Sequence, residues 1–157
     1  MTKIKYIFLF FFIIFASFSE DRYHEIEISS DTMEWKREEN IAIALGDAEA
    51  TQGRRILRAQ KIVVFFNEKK QNEKIYKLDA SGKVSFKNGD QIAKGDEATF
   101  LIDKETIIIK GNVKLEKDDS YMIGEQLSID LKNNTTRLIS SQKSGKVKAK
   151  YKTENEN

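Results

Sequence analysis

Apolar and polar side chains alternate along much of the chain, which predicts β-strands rather than helices. Residues 106–116 and 76–87 show the alternation most clearly, with apolar or small side chains at every second position. A period of two is that of a strand, and neither stretch has the 3.6-residue spacing of a helix. Polar clusters rich in Asn, Asp and Gly predict turns between the strands. These clusters lie at residues 67–72, 87–90, 117–120 and 132–135.

A short unit is repeated four times, and this repeat is the most informative feature of the sequence. Each unit begins with a glycine, followed by a polar residue and then by two small or apolar residues with one polar residue between them. A second series of small residues recurs thirteen residues after three of the glycines and once before them. The chain is therefore a serial repeat. The glycines are Gly46, Gly82, Gly111 and Gly145, and the second series is Ser30, Ala59, Gly95 and Gly124.

The apolar parity reverses across each small residue of the second series. Inward positions fall two residues before the small residue and then three and five residues after it. One extra residue has been inserted into the alternation, which is typical of a β-bulge or a sharp corner where a large side chain does not fit. The acid or amide that follows suits the backbone N–H groups freed at such a corner. A sheet that bends at matching places folds over on itself, so the sequence predicts an all-β, antiparallel, repeat-built trough with its inward faces lining one groove.

The bulge-corrected alternation assigns eighteen side chains to the inner face. On the pattern alone this face has two interpretations, a closed sandwich core or an apolar lining for a ligand, because both produce the same alternation. The predicted inward side chains are Ile26, Ile28, Met33, Trp35, Leu57, Ile62, Val64, Leu78, Val84, Phe86, Phe100, Ile102, Ile109, Val113, Leu115, Met122, Leu127 and Ile129.

One segment departs from this pattern, because its inward parity carries only small side chains while the other parity carries the bulk. Either a register shift intervenes there or the groove is wide at that point, so these residues stay outside the candidate site. The small residues are Ala42, Ala44, Ala48 and Ala50, and the large ones are Ile41, Ile43 and Leu45.

Residues 1–19 have the features of a secretory signal peptide. Lys3 and Lys5 precede thirteen uncharged residues dominated by Phe and Ile, and Ser17 and Ser19 supply the small side chains of a cleavage site. A thirteen-residue helix at roughly 1.5 Å per residue is shorter than a hydrocarbon core of about 30 Å, so a permanent anchor is the less favoured interpretation. We expect cleavage after Ser19, one domain in residues 20–152 and a disordered tail at residues 153–157.

The composition argues against several classes of function. The 157 residues include no Cys and a single histidine, His24, so a thiol nucleophile, a disulfide framework and a zinc site are not expected. The formal net charge is only +2, without the basic excess of a nucleic-acid-binding protein. The neighbouring acids Asp96 and Glu97, and Asp118 and Asp119, lie at predicted corners or turns and do not form a general acid/base pair. We therefore expect a binding protein with no catalytic residue, metal or cofactor.

The ordered series of segments resembles the OstA-like repeat of the LptA family. The resemblance covers about residues 25–150, and it rests on the order of the segments because no single one is specific. The segments are Ile-Glu-Ile-Ser-Ser-Asp at 26–31, Leu-Arg-Ala-Gln-Lys-Ile-Val-Val at 57–64, Leu-Asp-Ala-Ser-Gly-Lys-Val at 78–84, Ala-Lys-Gly-Asp-Glu-Ala-Thr-Phe at 93–100, Lys-Gly-Asn-Val-Lys-Leu at 110–115 and Ile-Gly-Glu-Gln-Leu-Ser-Ile at 123–129.

The resemblance implies an open, twisted β-jellyroll in the periplasm of a Gram-negative bacterium. It further implies a non-enzymatic carrier that passes lipopolysaccharide from the inner-membrane transporter to the outer-membrane translocon and shields the acyl chains in its groove. Trough-shaped domains of the family join end to end by strand addition. For this chain that implies a head-to-tail homo-oligomer, an LptC-like partner at the N-terminal edge near residues 26–28 and an LptD-like partner at the C-terminal edge near residues 146–151.

Within the inward set, the positions that match the family's lipid-contacting N-terminal half are Ile26, Ile28, Phe86, Phe100 and Ile102, and the other candidates come from the inward set itself. Two other interpretations stay open, namely a membrane-anchored LptC-like component with an uncleaved N-terminal helix and a structural β-repeat protein with a dry core. The candidate lipid-binding residues are Ile26, Ile28, Trp35, Val64, Phe86, Phe100, Ile102 and Leu115.

Two groups of basic residues have both a functional and a plain interpretation. Arg54, Arg55, Arg58 and Lys61 are able to meet the phosphates of lipid A through charge-assisted hydrogen bonds, but a solvated turn and strand face is favoured. Lysines alternate with apolar residues at 146–152, which is typical of an edge strand protected against aggregation and equally of one that selects an acidic partner strand.

Overall fold

The computed structural model describes residues 25–67, 74–140 and 145–152, and it shows an all-β chain. The predicted strands at 76–87 and 106–116 are confirmed as the central parts of β5 and β7. The predicted signal segment, residues 1–19, and the predicted tail, residues 153–157, lie outside the described residues. The strands are β1 (Glu27–Ser29), β2 (Thr32–Lys36), β3 (Ile41–Gln52), β4 (Arg55–Phe66), β5 (Ile75–Asn88), β6 (Gln91–Leu101), β7 (Thr106–Lys117), β8 (Ser120–Asp130), β9 (Thr135–Ile139) and β10 (Lys148–Lys150), and a 3₁₀ helix (Arg37–Glu39) connects β2 to β3.

All ten strands belong to one antiparallel sheet whose order largely follows the sequence. Strands β3 to β8 form a continuous meander, β1 and β2 pair with successive halves of β3, and β9 and β10 pair with the two halves of β8. The sheet is open, because β1 with β2 forms one edge and β9 with β10 forms the other. Among the described residues no helix is long and apolar enough to cross a membrane.

The predicted bulges are confirmed, and they lie side by side across the sheet. The register shifts between Arg58 and Lys61 on β4 and between Lys94 and Glu97 on β6, and again where β7 meets β8. The predicted small residues sit at these shifts because a bulge crowds the backbone of the neighbouring strand. Each of the long strands β3 to β8 is therefore bent near its middle, at the same level as its neighbours.

The two series of small residues meet at these corners. On β7, Gly111 (φ +78°) and Asn112 (φ +49°) are both left-handed, and the Asp96 carboxylate of β6 lies where a Cβ on Gly111 would stand. Asn112 Nδ2 donates to Asp96 Oδ2 at 2.8 Å. Gly82 on β5 repeats the arrangement under the side chain of Gln60. At Gly82 and Gly111 the acid or amide after the small residue therefore covers the glycine of the adjacent strand, and glycine satisfies both the backbone angle and the space. Gly145 has no such neighbour among the described residues.

The inner face is the hydrophobic core, as the bulge-corrected parity predicts for most of its members. The alanines of β3 also face inward and are buried, whereas Leu45 is on the outer face and 42% exposed. A register shift is present between Leu45 and Ala48. The same shift occurs at Gly82 on β5 and at Gly111 on β7, so it is a corner common to the repeats and leaves the alanines on the inner face, where the expected parity puts them. The predicted inward residues that are buried are Leu57, Ile62, Val64, Leu78, Val84, Phe86, Phe100, Ile109, Val113, Leu115, Leu127 and Ile129.

Candidate functional site

The bent strands bring the two halves of the sheet face to face around an apolar interior. Phe100 pairs with Leu78, which is eight residues from Phe86 along β5 and would be about 26 Å from it in a straight strand. The rings of Phe86 and Phe100 are nevertheless only 6.3 Å apart, in an edge-to-face arrangement. Because one ring comes from each half of the bent sheet, this contact crosses the trough.

The interior is filled by the protein's own side chains. Leu57, Leu78, Phe86 and Phe100 are each at most 3% exposed. The cavity among them measures about 10 Å³, which is at or below the size needed for one water molecule. In this conformation the trough therefore has a closed core at this level. The trough must change shape before an acyl chain can enter it.

The structure brings seven of the eight predicted lipid-binding residues to this interior. Ile26, Ile28 and Ile102 are half-buried against the core, and the other four are buried within it. Trp35 differs, since its side chain is 53% exposed. The four buried members are Val64, Phe86, Phe100 and Leu115.

Trp35 and Met33 are exposed although their parity is inward. They pair with Ala42 and Ala44, whose side chains are on the inner face, but β2 is an edge strand with no neighbour beyond it. The inward prediction is therefore right for the face, and both side chains are exposed because an edge position removes half of the contacts that would cover them.

An aromatic cleft lies at the N-terminal end of the trough. The Trp35 ring stacks on Phe66 with a centroid distance of 5.1 Å and an interplanar angle of 8°. Arg37 and Asn40 complete the lining of an open cleft of about 220 Å³. Phe66 was missing from the predicted inward set, although its position two residues after Val64 gives it the same parity. The two rings thus extend the aromatic surface beyond the closed core to an open end that Arg37 and Asn40 also line.

The mouth of the trough, where the two ends of the bent strands meet, is bridged by an ion pair. Gln52 and Arg55 form one rim beside the turn at residues 53–54, and the turn at residues 102–105 forms the other. Arg55 Nη1 donates to Glu105 Oε1 at 3.1 Å and to Gln52 Oε1 at 3.3 Å. The Arg55 side chain is only 11% exposed. Arg55 and Gln52 also line the cavity that Phe86 and Phe100 border.

The predicted basic cluster is divided between two faces of the sheet. Arg55 faces inward at the mouth, two residues before the buried Leu57. Arg58 faces outward and pairs with Glu49, with 2.6 Å between Nη2 and Oε2. The solvated-face interpretation therefore applies to Arg58, while Arg55 belongs to the trough. Parity could have separated the two, but the partner of Arg55 lies 50 residues away and leaves no local signal.

A cluster of charged side chains lies on the outer face of the sheet. Glu116 contacts Lys114 at 2.6 Å and Lys94 at 2.9 Å on the outer face. Its hydrogen bond to Lys114, and then that to Lys94, lowers the pKa of Glu116 below its ordinary value. Among the residues that the structure describes, no three His, Cys, Asp or Glu side chains are grouped so that they could hold a metal ion.

The two edges of the sheet carry opposite charges. Strand β1 exposes Glu27, with the exposed Glu25 just before it, whereas β10 exposes Lys148 and Lys150. All three residues of β10 are exposed. Unpaired backbone groups along such edges are templates for a further strand.

Comparisons with known proteins identify relatives of this fold. The family described as "LptA/(LptD N-terminal domain) LPS transport protein" matches residues 27–135. An uncharacterized protein of Rhizobium meliloti (strain 1021) is 29% identical over 119 residues, which cover 72% of this chain and 64% of that protein. The LPS-assembly protein LptD of Nitrosomonas europaea is 31% identical over 61 residues, which cover 39% of this chain and 8% of LptD. The chain thus spans less than two thirds of either relative.

A solved structure shares the fold at low sequence identity. It is the crystal structure of LptH from Pseudomonas aeruginosa, described as the LptA homologous periplasmic component of the conserved lipopolysaccharide transport device. The TM-score is 0.73 at 14% identity, with 85% of this chain and 99% of that chain covered. This likeness confirms the predicted open jellyroll architecture.

Proposed function

The chain belongs to the LptA/LptD N-terminal domain family of LPS transport proteins, and from this membership we propose that it is a periplasmic carrier of lipopolysaccharide. The family and the fold are those of a carrier and not of an enzyme. In this role the protein receives lipopolysaccharide on the inner-membrane side and passes it towards the outer membrane. The observation that supports the proposal most directly is the apolar inner face, which every repeat contributes to a single elongated interior.

The energetics of the cargo explain why such an interior suffices. Each methylene hidden from water contributes roughly 0.8 kcal/mol, so several acyl chains together require a long apolar lining. No bond has to be made or broken. The lining supplies the required contacts with side chains from all the central strands, and the open end at Trp35 and Phe66 extends it.

We propose that the lipid contacts are made by the inward residues selected from the sequence. The buried members Val64, Phe86, Phe100 and Leu115 contact acyl chains once the interior has opened. Ile26, Ile28 and Ile102 border the same interior from partly exposed positions, and Trp35 contacts the cargo at the N-terminal end.

A photo-crosslinking experiment tests this assignment. A crosslinker placed at Phe100 or Ile28 faces the interior and should capture lipopolysaccharide. The same crosslinker at Glu97 or Glu34 faces outward and should capture little, and these positions are matched controls on the same strands or the same edge. Equal labelling at all four positions would contradict the assignment.

The opposite charges of the edges support head-to-tail assembly. Glu25 and Glu27 at one edge complement Lys148 and Lys150 at the other, so β1 of one copy is suited to pair with β10 of the next. The two edges are unlike, so the contact is heterologous and extends into chains whose grooves align. As the family resemblance implies, we propose an LptC-like inner-membrane partner at the N-terminal edge and an LptD-like outer-membrane partner at the C-terminal edge.

The filled interior favours one other candidate, a structural β-repeat protein with a dry core. The interior cavity of this chain, about 10 Å³, is as small as expected for such a protein. The two candidates differ in one outcome, since a structural protein gains no mass from a bound lipid whereas a carrier does.

A further inference from the structure

We propose that Arg55 and Glu105 form a clasp, an ion pair that holds the trough shut when it is empty. The phosphate of an anionic lipid opens the clasp by replacing Glu105 as the partner of Arg55. The inference rests on the proposed function, because it names the route by which the cargo reaches the same interior. It assigns to Arg55 a phosphate-binding role at the mouth and to Glu105 the role of holding that site in the absence of lipid.

The position of the ion pair gives it control over the interior. Arg55 and Glu105 lie on opposite rims of the mouth, 50 residues apart in the chain. On one straight strand the two rims would be more than 30 Å apart, and only the bend of the sheet brings them to 3.1 Å. Arg55 lines the same cavity as Phe86 and Phe100, and at about 10 Å³ this cavity has no space for an acyl chain. Separating the rims is therefore the direct way to expose both rings.

The arginine of this pair is more enclosed than the cations of the outer-face pairs. The Arg55 side chain is 11% exposed, whereas Arg58 and Lys94 in their outer-face pairs are 55% and 54% exposed. The Glu105 side chain is 40% exposed, so the carboxylate can be hydrated when the contact breaks, while the enclosed guanidinium is costly to leave without an anionic partner. Gln52, which also accepts from Arg55, is itself buried and helps to hold the guanidinium in the mouth.

Glu105 is held in a backbone conformation that its residue type does not favour. Its φ of +47° is left-handed, where glycine or asparagine is usual. Two backbone hydrogen bonds fix the turn, since Glu105 N–H donates to the Ile102 carbonyl at 3.0 Å and Leu131 N–H donates to the Glu105 carbonyl at 2.8 Å. The carboxylate is thus presented to Arg55 by a rigid turn.

A phosphate is the group that replaces Glu105 best. When acyl chains enter through the mouth, the headgroup of the same lipid stays at the mouth and therefore beside Arg55. Arginine keeps its charge at all physiological pH values and binds phosphate in a bidentate manner. The phosphate offsets the loss of the Glu105 contact as the rims separate, and an uncharged headgroup does not. The free protein should therefore admit a phosphorylated lipid faster than a neutral one with the same chains.

A reversible lock tests whether the mouth must open. The chain has no Cys, so the double variant Arg55→Cys, Glu105→Cys contains two thiols that a bifunctional, reducible reagent can link. The linked protein should fail to take up a fluorescent diacylglycerol, and reduction of the linker should restore uptake in the same sample. Equal uptake before and after reduction would overturn the clasp.

The phosphate exchange is tested with two probe lipids of identical chains, dioleoyl phosphatidic acid and dioleoylglycerol. Wild-type protein should load the phosphatidic acid about tenfold faster, as expected for a charge-assisted contact. Glu105→Gln should speed loading of the neutral lipid about tenfold, and Arg55→Gln should abolish the preference. Glu116→Gln, which makes the same change in the outer-face pair with Lys94 and Lys114, should leave both rates unchanged. Wild-type rates in Glu105→Gln would overturn the exchange.

The clasp and the proposed function fail in distinguishable ways. A small apolar dye, N-phenylnaphthylamine, reports opening without any lipid. If Glu105→Gln binds the dye faster but neither protein binds lipopolysaccharide, the clasp stands and the carrier role fails. If the wild type and Glu105→Gln bind lipopolysaccharide at the same rate, and also bind the dye at the same rate, the carrier role stands and the clasp fails.

Discussion

Replacing Phe100 by Ala should destabilise the protein by about 3–5 kcal/mol. Phe100 is 3% exposed and its ring meets Phe86 across the trough at 6.3 Å. The substitution removes the transfer free energy of a fully buried aromatic side chain, about 1.5–3 kcal/mol, and leaves a cavity that the two bent half-sheets fill only in part. The loss of the edge-to-face contact adds to this penalty.

The control is a phenylalanine on the outer face of the same sheet. Phe65 is half-buried, and Lys77 Nζ lies 3.8 Å from its ring centroid. Phe65→Ala removes this cation–π contact and some strand packing, so it should cost only about 1 kcal/mol. The two variants change the same side chain in opposite environments.

Urea unfolding measures both costs. Far-UV circular dichroism reports the sheet, and Trp35, the only tryptophan of the chain, reports the N-terminal end. Coincident transitions justify a two-state analysis, and an unchanged slope assigns the shift in midpoint to stability. A loss for Phe100→Ala no larger than that for Phe65→Ala would show that the interior is not filled as described and would refute the reasoning.

Three further predictions concern the corners, the outer charges and the edges. Gly111→Ala should lower the free energy of unfolding by more than 1 kcal/mol, because alanine is strained at the left-handed angle and the Asp96 side chain occupies the space of its Cβ. In urea unfolding, adding Asp96→Ala should recover part of this loss. Full recovery or no recovery would contradict this account. Because the pKa of Glu116 is lowered in the fold, its ion pairs stabilise the protein above its ordinary pKa of 4.5, and this contribution is lost as the pH falls below that value through the folded pKa. Glu116→Gln should therefore narrow the difference in the free energy of unfolding between pH 6 and pH 3. An unchanged difference would refute the assignment. Cutting the chain after Ser141 removes β10 and should give a folded, lipid-binding monomer, whereas unchanged growth of light scattering with concentration would place the contact elsewhere.

The bends of the sheet could be predicted because their causes are local. The parity reversal between Leu57 and Ile62 shows directly in the alternation, and the small Ala59 between them marks the bulge. Gly82 and Gly111 are forced by a backbone angle and by a neighbouring side chain, both of which act within a few residues of sequence or one strand of distance. The period of the apolar alternation and the space available at the glycines are therefore sufficient to predict the bent sheet.

The closure of the trough could not be predicted in the same way. Parity places Phe86 and Phe100 on the inner face, but the angle of the bend decides whether their rings meet, and no local pattern contains that angle. Trp35 was placed correctly on the inner face, while its exposure follows from the edge position of β2, which only the strand order reveals. Arg55 was grouped with its sequence neighbours, whereas its contact with Glu105 depends on the whole fold.

Native mass spectrometry of the protein purified from the periplasm of a Gram-negative host tests the carrier role most directly. The account predicts a population whose mass exceeds that of the protein by one lipopolysaccharide molecule, and which dissociates into protein and lipid on collisional activation. A lipid-free mass alone, under conditions that preserve a known protein–lipid complex measured in parallel, would contradict the account and favour a structural protein with a dry core.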